Sequence, residues 1–266
     1  MGEAAFWGAV GASALIVGAE LAFAVRLSRM VIGLIMAFGV GALISSVSFE
    51  LVAPALQDAE TWKVALGLAA GSATFFIGDR LIARIGGSNR KSPDGGAGDE
   101  KARETGADDD DDAAGDDGDD DGDGGGLGIV LGTVLDGVPE SAVLGMSLVG
   151  GAGVSVSLLA GIWVSNFPES LGSTVNMVTS GWTKGKIRLL WWGIIAISAL
   201  SAGIGFVVVD NSSVLSGVLI ESFAAGALLT MIADEMAPEA YERSAVYAGL
   251  ATVAGFALAV LLTSLE

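Results

Sequence analysis

Hydrophobic residues in this chain fall into long runs, without the short-period alternation with polar positions that marks a soluble fold. The runs cover residues 4–25, 30–56, 64–85, 127–150, 154–178, 187–209, 213–236 and 244–265. Each is near the ~20 apolar residues that a helix needs to cross a bilayer. Eight transmembrane helices are therefore predicted. The runs at 187–209 and 244–265 are the clearest. The run at 64–85 is the weakest, because Asp79 and Arg80 sit inside its end, where Arg80 can snorkel to the interface. Residues 86–126 break the pattern. They are rich in Gly and Asp, contain no aromatic residue, and bury too little apolar surface to offset chain entropy, so disorder is expected. The expected organisation is helices 1–3 over 1–85, an acidic loop over 86–126 and helices 4–8 over 127–266.

Composition supports an all-α polytopic membrane protein. The chain is 52% hydrophobic, and its mean hydropathy of +0.64 is too high for a soluble domain of this size. It has no Cys, which excludes disulfides and thiolate metal sites. It has no His, which removes the commonest metal ligand and proton shuttle. Met1-Gly2-Glu3-Ala4 lacks the positive start of a signal peptide, so the first run is expected to remain as a span.

The net charge of −18 belongs mostly to one place, since residues 94–123 carry 15 acids against two bases. The plain reading of that segment is a solvated, self-repelling linker. The functional reading is a low-affinity cation trap, because hard cations favour carboxylate oxygen.

Bases orient the spans. Arg26 and Arg29 follow the first run, and Arg84, Arg90 and Lys91 the third. Lys184, Lys186 and Arg188 follow the fifth, and Arg243 the seventh. With eight spans these all fall on one side, against only Lys63 on the other. A multi-pass plasma-membrane protein is expected, with both termini outside and the acidic loop cytoplasmic. The bilayer is its environment, and no nucleic-acid partner is expected. Trp182, Trp191 and Trp192 are expected at interfacial belts or facing lipid.

An internal repeat is visible. Phe38-Gly39-Val40-Gly41-Ala42-Leu43-Ile44 leads to Glu50 and Pro54, and Phe223-Ala224-Ala225-Gly226-Ala227-Leu228-Leu229 leads, at the same spacing, to Glu235 and then Pro238. These segments lie in the second and seventh runs, which cross in opposite directions. Inverted repeats are a recurring construction of transporters, with the substrate near the midplane. Helices 1–3 and 6–8 are the expected halves, around helices 4 and 5. The competing reading is chance likeness of Gly/Ala-rich spans. On this topology Glu50 stands near the outer end of a cation route, and Asp234 and Glu235 near its inner end.

The chemistry concentrates in Asp136-Gly137-Val138-Pro139-Glu140-Ser141 and Ser165-Asn166-Phe167-Pro168-Glu169-Ser170. Each sets Pro-Glu inside an apolar run, and intramembrane carboxylates are costly and functional by default. Asp136 and Glu140 are four residues apart, as are Ser165 and Glu169, so each pair shares a helix face. Pro139 and Pro168 are expected to kink their helices and free carbonyls near 135–136 and 164–165. Asp136, Glu140, Ser165, Asn166 and Glu169 then offer an all-oxygen set suited to a hard or borderline divalent ion. The competing reading pairs these acids with buried bases, but no Lys or Arg lies between 104 and 183.

With these motifs the chain resembles the ZIP family of divalent metal transporters. That family has eight spans, outside termini and a variable cytoplasmic loop after the third. Its fourth span carries His-Asn-x-Pro-Glu-Gly and its fifth His-Glu-x-Pro-Glu. By resemblance Asp136 stands where the first motif has His, Gly137 where it has Asn, and Glu140 matches its Glu. Ser165 and Asn166 stand at the second motif's His and first Glu, and Glu169 matches its second Glu. Asp234 and Glu235 resemble the seventh-span exit ligands. The acid that the family often carries in its sixth span is replaced here by a stretch, Ile194 to Gly203, with only Ser198 and Ser201 as polar groups.

The resemblance implies a transported divalent cation, zinc by default with manganese or iron(II) as rivals. It also implies a homodimer, no catalytic cofactor and no enzymatic activity. Loss of imidazole shifts the expected preference away from zinc. The alternative of another class is a non-transporting metal sensor or structural protein of the same fold.

Overall fold

The computed structural model describes residues 1–25, 27–85, 124–149 and 153–265, and the side chains of all of these except 82–85, 124–131, 135, 136 and 214. The described residues are almost wholly helical, with no strand among them. The helices are α1 (Gly2–Ala24), α2 (Arg29–Ser46), α3 (Ala53–Asp58), α4 (Thr61–Ile85), α5 (Gly124–Met146), α6 (Val156–Thr179), α7 (Lys184–Asp210), α8 (Val214–Met231), α9 (Ala237–Ser244) and α10 (Ala248–Thr263). π-Helical turns over Val47–Val52 and Ile232–Met236 join α2 to α3 and α8 to α9. Most of the acidic segment expected over 86–126 lies outside the described residues, and its last residues, 124–126, open α5.

Several helices are long and apolar enough to cross a membrane. They include Gly2–Ala24, Arg29–Asp58, Thr61–Leu81 and Lys184–Asp210, and the apolar tract Leu215–Thr263 adds α8 and α10. Their outer faces are apolar: Leu189, Leu200, Ile204, Leu250 and Val253 are each more than half exposed. That surface suits lipid and would be a liability in water.

Polar residues mark where helices begin. Ser28, Ser155, Thr183 and Ser213 precede α2, α6, α7 and α8, and each side-chain oxygen accepts a backbone N–H of the first turn. Such caps contribute about 1 kcal/mol each.

Contacts between helices rest on small residues, which let backbones approach where lipid supplies no hydrophobic drive. α2 packs most extensively on α10, and α8 on α4. A methyl at Gly41 would overlap the carbonyl of Thr252, and one at Gly255 the carbonyl of Phe38. In the other pair Gly226 meets the carbonyl of Leu68, and Gly71 that of Phe223. α1 packs on both α6 and α7, and α5 packs on α7.

α6 is rich in hydroxyl and amide side chains, and it is enclosed. It lies against α1, α2 and α10, burying Ser157, Ser165, Asn166, Ser170 and Thr174. Trp191 of α7 joins this interior. It is fully buried, and its Nε1 donates to Thr174 Oγ1 at 2.9 Å. This corrects the expectation for Trp191: a ring with a satisfied N–H packs among Leu15, Ala19 and Met177. Trp192, the next residue around the helix, is the one that is exposed.

Two irregular turns stand where the sequence did not announce them. Pro139 and Pro168 lie inside continuous α-helix. The π turns stand before Pro54 and Pro238. Ala53 N–H reaches back five residues to Ser48 O, and Ala237 N–H reaches back to Ile232 O. Each proline then follows the widened turn at the start of the next α segment.

Candidate functional site

α5 and α6 carry Glu140 and Glu169 to the same small cavity. Its lining is Met36, Glu140, Ser165, Glu169, Met231, Met236 and Glu239. Glu140 is 3% exposed, so its carboxylate faces protein and not lipid. Ser165 Oγ lies 2.9 Å from Ile162 O and 3.3 Å from Glu140 Oε1, so its one proton is shared between a local carbonyl and the carboxylate. Gly39 of α2 passes close to Ser165, where an added Cβ would sit 3.2 Å from the Ser165 Cα. The cavity volume is about 10 Å³, close to the smallest space that holds a single water. The site is thus narrow, with Glu140 and Ser165 buried and Glu169 and Glu239 partly exposed.

Glu239 is the acid that sequence reasoning missed. A signal was present: Pro238-Glu239 repeats the dipeptides Pro139-Glu140 and Pro168-Glu169. In an α register the residue one turn beyond Met231 is Glu235. The π turn adds one residue, and Met236 takes that place on the cavity wall. Asp234 is exposed and Glu235 half-buried, and neither lines the cavity. Three thioethers, from Met36, Met231 and Met236, complete the wall with soft, polarizable atoms.

The other sequence candidates are placed as follows. The side chain of Asp136 lies outside the described residues; its backbone is on α5, one turn before Glu140. Asn166 is buried, 4% exposed, but does not line the cavity. Glu50 belongs to a separate cluster. Its Oε1 accepts from Ser157 Oγ and from Thr263 Oγ1, both at 3.0 Å, which ties the first π turn to α6 and α10.

The base-free stretch 104–183 does not keep bases away from the site. α9 brings in Arg243, whose Nη2 donates to Glu239 Oε1 at 2.6 Å, with the Arg side chain 7% exposed. Its guanidinium lies against Gly172 of α6, where a Cβ would stand 3.4 Å from both terminal nitrogens. Arg243 also lines a second, larger cavity of about 600 Å³, together with Arg29 and Lys184. One guanidinium therefore stands between a small acidic cavity and a larger basic one.

Carboxylate, hydroxyl and thioether atoms line one small space, in a chain without imidazole, and carboxylate oxygens suit hard or borderline divalent cations. Among the described residues no three acidic side chains are already drawn together tightly enough to hold a metal ion. No protein-family model matches the chain, and no curated protein sequence matches it.

Proposed function

We propose that this chain is a membrane carrier of divalent cations of the ZIP type, moving its substrate toward the cytoplasm without nucleotide hydrolysis. One observation carries the reading: Glu140 and Glu169, from separate helices, line one small cavity with Ser165 and Glu239. Carboxylates from separate helices around one small space offer oxygen ligands to a cation, and intramembrane acids are costly enough to be kept for such a role. The cargo is a divalent ion, with manganese and iron(II) favoured over zinc by the absence of imidazole. Asp136 and Asn166 remain proposed ligands, and Glu50, Asp234 and Glu235 proposed residues of the route. The transporting unit is a homodimer in the plasma membrane.

The proposed architecture is eight spans, termini outside, with helices 1–3 and 6–8 as inverted repeats around the fourth and fifth. Matched details support the repeat. Ser28 and Ser213 cap corresponding helices. Gly41 on Thr252 corresponds to Gly226 on Leu68, and Gly255 on Phe38 to Gly71 on Phe223. The two π turns precede corresponding Ala-Pro pairs. A chance likeness of sequence has no reason to reproduce the same carbonyl contacts.

The test is uptake into proteoliposomes across a panel of manganese, iron(II), zinc, cobalt and magnesium. The parent chain is expected to accumulate at least one of them. The folded Glu140→Gln/Glu169→Gln variant is expected to accumulate none. Normal uptake by that variant removes the proposed site.

A further inference from the structure

The larger cavity lies where α1 and α6 end and α2 and α7 begin. Its volume of about 600 Å³ falls within the ~300–1,000 Å³ typical of small-molecule sites. Three bases from three different helices line it: Arg29, Lys184 and Arg243. Asn176 and Thr179 add neutral polar groups at the end of α6. Arg243 is already engaged by Glu239, and Lys184 Nζ stands 5.1 Å from the centre of the Phe23 ring. Arg188, nearby on α7, is bonded to Glu20 at 2.8 Å through Nη2. Arg29 and Lys184 are exposed and bring positive charge to the cavity.

The rest of the lining is apolar, and it leads outward. Val175 and Val178, three apart on one face of α6, both line the cavity and are both exposed, at 43% and 44%. Leu171 continues the same face inward. A soluble anion has no use for such a track. A molecule with a phosphate head and acyl chains fits both parts: its head among the bases at the helix ends, its chains along α6. Basic pockets between spans are known to hold anionic lipid headgroups in this way.

We propose that this cavity is a binding site for one anionic glycerophospholipid, whose phosphate is held by Arg29 and Lys184 and whose acyl chain runs along Val175 and Val178. The site needs the chain to reside in a bilayer. It does not need the chain to carry a cation.

The experiment is lipid retention by the full chain in nanodiscs, with chelator present throughout so that cation binding plays no part. Discs are made of phosphatidylcholine alone, of phosphatidylcholine with phosphatidylglycerol, and of phosphatidylcholine with inorganic phosphate added. Native mass spectrometry reads bound lipid, and the thermal midpoint reads stabilisation. The parent is expected to retain one phosphatidylglycerol and to melt higher with it. Arg29→Gln/Lys184→Gln should lower that retention about 30-fold, the effect of two bases near a membrane surface. Val175→Trp, which fills the track and leaves the bases, should lower it too, and it serves where the double variant melts early in phosphatidylcholine alone. Undiminished retention by a folded variant overturns the site. Equal stabilisation by inorganic phosphate also overturns it, because the occupant is then a free anion.

Discussion

Glu50 and Glu140 are both acids in apolar helices, yet their surroundings differ in kind. Glu50 receives two hydroxyl donors from two neighbouring helices, and its oxygen is an anchor for the first π turn. Glu140 accepts from Ser165 Oγ and faces a narrow space whose walls also carry Glu169 and Glu239. The first carboxylate is spent on holding helices together. The second shares a cavity wall with Glu169 and Glu239, the group proposed to hold a cation. Depth in the apolar layer alone therefore does not identify a ligand; convergence does.

The sharpest way to break this comparison is to neutralise each acid in turn. Glu140→Gln/Glu169→Gln should reduce cation uptake to background, with helicity by circular dichroism and elution volume unchanged. Next comes the base beside the site. Arg243→Gln leaves Glu239 partly buried without its partner and should cost about 3 kcal/mol in unfolding free energy. Adding Glu239→Gln should restore most of that loss, as measured by denaturant unfolding in detergent. A double variant no more stable than the single one would mean that the Arg243–Glu239 pair is not the reason. Glu50→Gln should be milder, costing about 1–2 kcal/mol through weaker acceptance from Ser157 and Thr263. It should leave the metal preference of uptake unchanged, and a changed preference would merge the two sites that the structure separates. The smallest effect is expected on removing 94–123: uptake should persist. Loss of a metal response with that segment would favour a sensor instead.

Helix positions were largely legible because an apolar run must satisfy its own backbone in lipid. The run read as 154–178 is α6 at Val156–Thr179, and 187–209 is α7 at Lys184–Asp210. Convergence of Glu140 and Glu169 followed from their matched Pro-Glu segments. Which face of a helix looks inward was much less legible, because these helices are apolar nearly all round and hydropathy then carries no direction. Trp191 and Trp192 show the difficulty: adjacent in sequence, they are 0% and 57% exposed. The π turn at Ile232–Met236 was also hidden, and with it the exchange of Glu235 for Met236 and Glu239 on the cavity wall. Pro54 and Pro238 follow π turns, whereas Pro139 and Pro168 lie within α-helix. A proline can be absorbed within a helix or placed just after a widened turn, and sequence spacing does not choose between them.

Arg243 has one side chain and two rooms to serve. Any negatively charged visitor that draws its guanidinium toward the larger room loosens its hold on Glu239 in the smaller one. Linkage makes that influence mutual: what enters by one door must be felt, with the same energy, at the other.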